Sequence, residues 1–469
     1  MKKYIILLLL VVTAISCDDR LDTFPTSTVA TEEAFRNEGD FTNAMNGAYL
    51  AMLTGTYYDG SMQLRDILTD NLIISREGRL SFKQAHDWLY DENYSTFHST
   101  SAYAAIRNVN TLIANLDIID DGDFKDNILG EALAVRALAH FDIIKYYGEI
   151  PTQSSSSNSS LAMPYITIAD INDLPSRDLT IAEYYQKIVD DLTAAADLIN
   201  TSNGVHQMGA DAVYGILANV YLHMGEMSSA VDAANKVSTT VASRDSFTGV
   251  WDDTDQSGVI FSLANDDVSD VGIGVYYNQT TGGIKDEYVP SYDFYQLFQD
   301  TDIRKSAYIL TGDFEGNTFN HVIKWYSSPS TTSLGVVDAK VLRAAEVMLI
   351  KAEALAELGN DAEALVALDE VRSNRYSNFV SGGEIGDGLK AAIQLERRLE
   401  LAFEGSRFTD LKRKGLPVVR SSFGQYADGT GTATDFLTLP AGDYRFNFPI
   451  HTNELNLNPN MVQTTGYEN

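Results

Sequence analysis

The sequence predicts a mainly α-helical protein, a superhelix of paired antiparallel helices that carries an inserted, irregular lobe of loops and short β-strands. Three observations lead to this fold class. Apolar residues recur at the three- and four-residue spacing of amphipathic helices over most of the chain. The pattern of one helix pair at 214–237 occurs again at 348–371. The segment between the two copies contains short β-branched or aromatic runs instead.

The N-terminus has the pattern of an export signal. Lys2 and Lys3 precede an apolar run over residues 5–15, which is well short of the roughly 20 residues that a membrane-spanning helix needs. We therefore expect residues 1–16 to be removed as a signal peptide. Cys17 is the one cysteine of the chain, so an intrachain disulfide and a multi-cysteine zinc site are both excluded.

Ala14-Ile15-Ser16-Cys17 resembles the lipobox of bacterial lipoproteins, in which the cysteine is lipidated and becomes the first residue of the mature chain. The resemblance implies that Cys17 carries acyl chains such as palmitate, and several acyl chains anchor a protein firmly to a membrane. Asp18 and Asp19 follow directly. They are similar to the acidic surface-export signal of lipoproteins in the Bacteroidetes group, or else form a solvated linker.

The helical part begins with a strongly periodic helix predicted within 129–147. The repeated pattern further along has the spacing of a tetratricopeptide (TPR) helix pair, in which small residues let two antiparallel helices approach closely. The matching positions are Tyr214, Leu217, Ala218, Tyr221, Ala230, Ala234 and Val237, then Met348, Lys351, Ala352, Leu355, Ala364, Leu368 and Val371.

We divide the chain after the signal peptide where the periodicity changes. The predicted parts are an N-terminal segment over 17–244 with TPR-like helix pairs, an inserted lobe over 245–335, and a C-terminal segment over 336–469 with the second TPR-like pair and a charged helix. Within the lobe, short strands are predicted at 258–263, 274–277 and 322–326. Loops on a rigid scaffold commonly carry binding sites, so the lobe is a place to look for ligand contacts.

Composition excludes several classes of function. The 469 residues include 34 Lys and Arg against 65 Asp and Glu, which gives a formal net charge of -31. A chain with this charge is repelled by a phosphate backbone, so we expect no binding to nucleic acid. With 44% hydrophobic and 21% charged residues, the chain has the composition of an ordinary folded protein.

The charged helix of the C-terminal segment has two interpretations. Glu396, Glu400 and Glu404 recur at every fourth position, and like charges at this spacing repel one another. With Arg397 and Arg407 beside them, they are predicted to form a self-neutralising structural charge network. A glycosidase would instead need two acids facing each other across the sugar, and adjacent turns of one helix do not face each other.

Catalytic and metal-binding patterns are weak. The stretch 253–258 fits the first half of a calcium-binding loop, but Ala264 stands where a bidentate Glu is needed, which favours a polar turn. The seven His residues show no metal-ligand spacing, and no nucleophile elbow or phosphate-binding loop is present. We therefore expect no metal, no cofactor and no enzymatic activity.

Sugar binding needs flat apolar rings for the C–H faces of a pyranose, with amides, carboxylates or Arg for its hydroxyl groups. The chain has 25 Tyr and 20 Phe, and aromatic and polar residues interleave at 86–94 and again in the lobe. Each aromatic residue could equally be a packing residue. The candidate ligand-binding residues are Asp70, Arg79, Trp88, Asn93, Tyr277 and Trp325.

Four parts of the chain together resemble the SusD/RagB family of outer-membrane lipoproteins, named for starch-utilisation-system protein D. The most recognisable is the charged helix, which continues as Glu-Gly-Ser-Arg-Phe-Thr-Asp-Leu at 404–411. The four parts are 21–25 with 45–49, the helix pair at 343–372, the charged helix at 396–411, and the closing segment at 448–467.

The resemblance implies a SusD-like fold and a surface-exposed lipoprotein of the outer membrane that binds an oligosaccharide or another small nutrient. It also implies a partner, a SusC-like TonB-dependent transporter on which the protein sits as a lid. Two other functions stay open on the residues alone. One is a TPR scaffold whose groove binds a peptide or protein, and the other is a lipid-anchored glycoside hydrolase.

Overall fold

The computed structural model describes residues 34–468 apart from 56, 95–98, 171, 202, 268, 270, 280–284 and 327. The signal peptide over 1–16, Cys17, the acidic pair after it and the family-like stretch at 21–25 lie outside the described residues. Within the described chain, no helix is both long enough and apolar enough to cross a membrane.

The N-terminal part is built from helices that pack on their neighbours in sequence. Its elements are α1 (Glu38–Leu53), α2 (Ser61–Ile67), β1 (Leu72–Ile74), α3 (Lys83–His86), α4 (Ser99–Ala114), α5 (Asp123–Tyr147), α6 (Ile181–Leu198), α7 (Ala210–Met224) and α8 (Met227–Ala234). The helix predicted within 129–147 is confirmed as part of α5, which is buried on nearly all sides because α1, α4 and α6 pack around it.

The middle of the chain is irregular, as predicted. Its elements are α9 (Phe247–Trp251), β2 (Val259–Leu263), β3 (Asn278–Gln279), β4 (Lys285–Asp286), β5 (Tyr288–Pro290), α10 (Tyr292–Tyr295), α11 (Ile303–Tyr308), β6 (Ile309–Phe314), β7 (Asn317–Val322) and β8 (Ala339–Arg343). The strands of the described chain pair only in twos, all antiparallel, and two of these pairs, β1 with β5 and β2 with β8, join distant parts of the chain.

One of the three predicted strands is confirmed and two are wrong. β2 occupies the run at 258–263. The run at 274–277 forms a 3-10 turn over Gly274–Tyr276, because the backbone of Trp325 passes so close to Gly274 that an added Cβ would lie 2.0 Å from its carbonyl oxygen. β7 ends at Val322, and the turn after it directs the indole of Trp325 into the core.

The C-terminal part returns to helices. Its elements are α12 (Ala344–Glu357), α13 (Asp361–Ser373), α14 (Gly386–Glu400), α15 (Arg407–Arg413), β9 (Val418–Val419), β10 (Thr438–Leu439) and α16 (Thr452–Leu457). The column of glutamates was predicted on one helix, and this is wrong for Glu404. α14 ends at Glu400, and Phe403 and Gly405 then adopt left-handed backbone angles of 64° and 78°.

The two predicted helix pairs are confirmed and lie side by side. α7 and α8 form the first pair and α12 and α13 the second, and in each a glycine with left-handed φ follows the first helix, Gly225 at 80° and Gly359 at 79°. Both α7 and α8 pack against α12. The helical stack therefore continues directly from the first repeat to the second, and the chain between them lies outside this contact.

Candidate functional site

A buried charge network surrounds the end of α14. The Glu400 carboxylate accepts hydrogen bonds from three guanidinium groups at 2.7 to 3.1 Å. They belong to Arg304 of α11, Arg343 at the end of β8 and Arg375 after α13. Burial by itself would raise the pKa of Glu400, but Arg375 and Arg343 outweigh burial and hold that pKa well below its usual range.

The partners in this network differ from the predicted ones. The sequence placed Arg397 beside Glu400 and Arg407 beside Glu404 along one helix, whereas the structure pairs each charged side chain with a distant residue. The pairs are Arg397 with Asp410 at 3.2 Å, Arg407 with Asp70 at 2.9 Å, Glu404 with Lys324 at 2.7 Å and Glu396 with Arg304 at 2.7 Å. These ion pairs connect α14, the turn after it and α15 to one another and to distant parts of the chain.

Asp70, a predicted sugar ligand, belongs to the same network. Both of its carboxylate oxygens accept hydrogen bonds from Arg407 at 2.9 Å, and Arg398 lies 3.1 Å away. Burial would raise the pKa of Asp70, but Arg407 and Arg398 lower it below its ordinary value. The expectation that Asp70 binds a ligand is corrected, because both oxygens are engaged by these arginines.

Trp88, Tyr277 and Trp325 were predicted as stacking residues, and the structure corrects this. Their exposed fractions are 2%, 1% and 1%. Each also uses its polar atom internally: the indole N–H of Trp88 donates to the Leu68 carbonyl at 3.0 Å and that of Trp325 to the Phe403 carbonyl at 2.7 Å. The Tyr277 hydroxyl lies 3.2 Å from the Asp66 carboxylate. Rings buried in this way are part of the core and offer no face to a sugar.

Arg79 and Asn93, the other two predicted residues, lie on open surface. The Arg79 guanidinium forms an ion pair with Glu287 while remaining 58% exposed. Near it, the rings of Phe82 and Tyr276 stack with their centroids 6.4 Å apart, and both rings are half-buried. We call Arg79, Phe82 and Tyr276 the aromatic shelf.

The backbone around the aromatic shelf is strained. Leu80, Phe82 and Trp88 have left-handed φ angles of 61°, 57° and 53°, a conformation that costs about 1 kcal/mol or more for a residue with a side chain. Such strain persists only where the surroundings impose it, and it is concentrated at binding sites. The strained stretch places Phe82 beside Tyr276, so the strain and the exposed rings occur at one place.

A cavity of about 570 Å³ is lined in part by Tyr94, the residue after Asn93. We call it the C-terminal cavity because the closing segment of the chain forms one wall. The other walls are α4, the end of α5 and the loop over 163–175. Its lining residues are Tyr94, Thr100, Tyr103, Arg107, Tyr147, Met163, Pro164, Ile166, Ile168, Ala169, Asp170, Asp173, Pro175, Pro449, Ile450, His451, Asn453, Glu454 and Met461.

Buried hydrogen bonds fix the loop and the closing segment to each other. The Arg177 guanidinium, 6% exposed, donates to the carbonyls of Ala162 and Val462, both at 2.9 Å. Asn458 donates to the Pro175 carbonyl at 2.9 Å. Burial lowers the pKa of Arg177 to about 10, which leaves the guanidinium charged at neutral pH. The two walls therefore form one unit although they are far apart in sequence.

The inner end of the loop is held by histidine. The His140 ring stacks on Tyr165 with centroids 3.9 Å apart, and one of its nitrogens lies 3.2 Å from the backbone of Ile166. Burial lowers the pKa of His140 to about 3, so the ring is neutral at physiological pH. On the outer side, the Thr452 hydroxyl contacts Asn93 at 3.1 Å. The cavity is thus preformed by groups that lie behind its surface.

The C-terminal cavity combines the side chains that a sugar needs. Tyr94, Tyr103 and Tyr147 contribute aromatic rings, the loop and closing segment contribute aliphatic groups, and three exposed carboxylates also line the cavity. This combination of an apolar wall with a few polar groups is typical of small-ligand sites. In the described part of the chain, no three acidic, His or Cys side chains are grouped closely enough to hold a metal ion.

Sequence reasoning missed most of this cavity. The aromatic stretch at 86–94 contributes one lining residue, Tyr94, and a further signal was on α4, where Thr100, Tyr103 and Arg107 recur at the three- and four-residue spacing of one helix face. The loop over 163–175 and the segment over 449–461 show no motif, and only folding brings them together.

Comparison with known proteins agrees with the fold. A sequence model described as the SusD family matches residues 226–467, and a second, described as "Starch-binding associating with outer membrane", matches residues 20–222. The SusD-like protein P2 of Formosa agariphila is 26% identical over 475 residues, covering 89% of this chain and 91% of that one.

Solved structures have the same architecture. A SusD superfamily protein from Bacteroides thetaiotaomicron superposes with a TM-score of 0.81 at 23% identity, covering 91% of this chain and 99% of the other. A SusD-like carbohydrate binding protein from Bacteroides vulgatus gives 0.78 at 21% identity, with 91% and 98% covered. Since the family's sequence pattern extends over more than half of the chain, this protein belongs to the SusD family.

Proposed function

We propose that the protein is a lipid-anchored glycan-binding protein of the outer-membrane surface, which captures an oligosaccharide for a SusC-like TonB-dependent transporter and breaks no bond. The observation that carries the proposal is the C-terminal cavity, a space of about 570 Å³ lined by tyrosine rings, aliphatic side chains and exposed hydrogen-bonding groups. Membership of a family with starch-binding and carbohydrate-binding members supports it.

The size and chemistry of the cavity suit an oligosaccharide end. Ligand pockets commonly measure about 300–1,000 Å³, and this cavity lies within that range. Tyrosine gives a wide contact surface with a polar tip and loses little conformational entropy on binding.

The first test is binding to glycans. The purified mature chain is applied to a glycan array that includes soluble polysaccharides, and each positive result is repeated by isothermal titration calorimetry. We expect saturable binding to at least one oligosaccharide and ligand-induced stabilisation against heat. Absence of binding to every glycan, together with an unchanged melting temperature, would refute the proposal.

Hydrolysis is the competing function, because three carboxylates, those of Asp170, Asp173 and Glu454, line the cavity. Incubation of the bound glycan with a large amount of protein, followed by chromatography of the products, separates the two. Simple capture leaves the chain length of the glycan unchanged. Release of shorter products, abolished in a variant with Glu454→Gln or Asp173→Asn, would show that the protein is a glycosidase.

The membrane anchor requires its own test, because Cys17 lies outside the described residues. We expect the wild-type protein to partition into detergent and to be labelled by a palmitate analogue in cells that process lipoproteins. Cys17→Ala should abolish both while leaving glycan binding of the purified protein unchanged. Labelling that persists in Cys17→Ala would show that another residue is acylated.

The transporter partner is tested by co-purification from the native outer membrane with a mild detergent. We expect a TonB-dependent transporter in a fixed ratio to the wild-type protein. Recovery of the lipoprotein alone, under conditions in which the transporter is itself extracted intact, would count against this part of the proposal.

A further inference from the structure

The charged groups around the C-terminal cavity are unbalanced. Asp170, Asp173 and Glu454 are exposed carboxylates that line it. Among the described residues that line the cavity, Arg107 is the one Lys or Arg. His451 is held within the closing segment, where its Nδ1 accepts a hydrogen bond from the backbone N–H of Asn453 at 3.0 Å.

Arg177, a second cation of this region, is directed elsewhere. Arg177 lies behind the wall and donates to carbonyl oxygens of the wall itself. The cavity thus has three carboxylates and one guanidinium, in a chain whose net charge is -31. A partly enclosed site with charges mainly of one sign strengthens the local electric field, which repels ligands of that sign.

Resting on the proposed function, we propose that the C-terminal cavity selects oligosaccharides without acidic groups. Neutral sugars bind, because carboxylates accept hydrogen bonds from pairs of hydroxyl groups and the tyrosine rings contact the C–H faces. Sugars with an amino group bind more tightly, because the ammonium group gains an opposite charge. Sugars with a carboxylate or sulfate group at this position are rejected.

Coulomb's law gives the size of the selection. Two unit charges a few ångströms apart near a protein surface interact by more than the thermal energy, and salt weakens this interaction over about 8 Å at physiological ionic strength. An acidic group held among these carboxylates should therefore weaken binding roughly tenfold at low salt, and an amino group should strengthen it by a similar factor. High salt should reduce both effects and leave neutral sugars unaffected.

The test uses matched glycans on one backbone. Starting from the neutral glycan found on the array, carboxymethyl and aminoethyl derivatives with the same degree of substitution are prepared. Their affinities are measured by calorimetry at 20 mM and 500 mM sodium chloride. We expect the order aminoethyl, neutral, carboxymethyl at low salt, and nearly equal affinities at high salt.

Variants distinguish the cavity from the charge of the whole chain. The triple variant Asp170→Asn, Asp173→Asn, Glu454→Gln should raise the affinity for the carboxymethyl derivative, relative to that for the neutral glycan, about tenfold compared with wild type. The matched control removes three exposed acids of α13 and α14, Glu363→Gln, Glu370→Gln and Asp387→Asn. It changes the net charge equally and should leave the order of affinities unchanged.

Each outcome leads to a decision. The charge selection would be overturned if wild type preferred the carboxymethyl glycan, or if the two triple variants had equal effects. The proposed function would stand in both cases, because the neutral glycan still binds. An unchanged ratio of carboxymethyl to neutral affinity in the cavity variant would show that the carboxylates do not select by charge. Absence of binding to any derivative would overturn the proposed function itself.

Discussion

Replacing Glu400 tests whether the buried charge network stabilises the fold. Glu400→Gln keeps the shape of the side chain but removes the negative charge that faces Arg304, Arg343 and Arg375. All four side chains are buried, with exposed fractions of 0% for Arg304, Arg375 and Glu400 and 3% for Arg343. The substitution therefore removes the counter-charge that three buried guanidinium groups share. Removing one partner of a buried ion pair costs about 3–5 kcal/mol, a large part of the stability of a typical protein.

The assay is urea unfolding at pH 7, followed by circular dichroism. A matched control is Glu357→Gln, whose partner Lys390 lies 2.6 Å away with both side chains about one-third exposed. An exposed pair of this kind contributes about 1 kcal/mol or less. We expect a large fall in the urea midpoint for Glu400→Gln and almost none for Glu357→Gln. Equal small effects would refute the assignment of a structural role to Glu400.

The same carboxylate predicts a pH dependence. The pKa of Glu400 is lower in the folded protein than the value of about 4.3 expected when unfolded. A group with a lowered folded pKa contributes its stability above the unfolded value and loses it as the pH falls below that value. Wild type should therefore lose stability below about pH 4 more steeply than Glu400→Gln, as measured by urea midpoints from pH 3 to 7.

Three further predictions concern buried residues. Trp325→Ala should lower the free energy of unfolding by about 3–5 kcal/mol, because removal of a fully buried indole leaves a cavity. The folded fraction of this variant should keep its glycan affinity. A selective loss of affinity would instead support the predicted role of Trp325 in ligand binding. Burial raises the pKa of Asp66 to about 8, so the folded protein retains a proton there that the unfolded chain releases near pH 4. Wild-type stability should then fall as the pH rises from 5 to 8, and urea midpoints of Asp66→Asn should lack this part of the slope. Arg65, 5% exposed, lies 5.4 Å from the ring centres of Tyr58 and Tyr146, and its Nε and Nη2 have no acceptor among the described residues. It lines a cavity of about 70 Å³ with Asn219 and His223, and we expect a crystal structure at high resolution to show ordered water there; a dry cavity would contradict this.

The helical part of the fold could be predicted because the signal is local. Apolar spacing within 129–147 and the repeat at 214–237 and 348–371 depend on residues a few positions apart. The strands at 274–277 and 322–326 were predicted wrongly, and in the folded chain Gly274 of the first stretch lies against the backbone of Trp325 in the second. Such an approach between distant residues leaves no pattern in either stretch.

The candidate site was less predictable for a related reason. Composition identifies aromatic and charged residues but does not tell whether they are buried. The indole N–H groups of Trp88 and Trp325 donate to backbone carbonyls that come from other parts of the chain. Asp70 and Arg407 are likewise far apart in sequence and meet only in the folded chain. The cavity wall at 163–175 depends on Arg177, whose carbonyl partners include Val462 near the opposite end of the chain.

The most direct test of the central claim is the affinity of the Tyr103→Ala variant for the glycan identified on the array. Tyr103 lines the C-terminal cavity, and truncating a central aromatic contact typically costs about 1–3 kcal/mol of binding free energy. The matched control is Tyr214→Ala, a half-buried tyrosine on α7 of the first helix pair.

Calorimetry should show at least a fivefold loss of affinity for Tyr103→Ala and an unchanged affinity for Tyr214→Ala, with both variants folded by circular dichroism. Unchanged affinity for Tyr103→Ala, with a loss for Tyr214→Ala, would contradict glycan capture in the cavity and favour binding by the helical repeats.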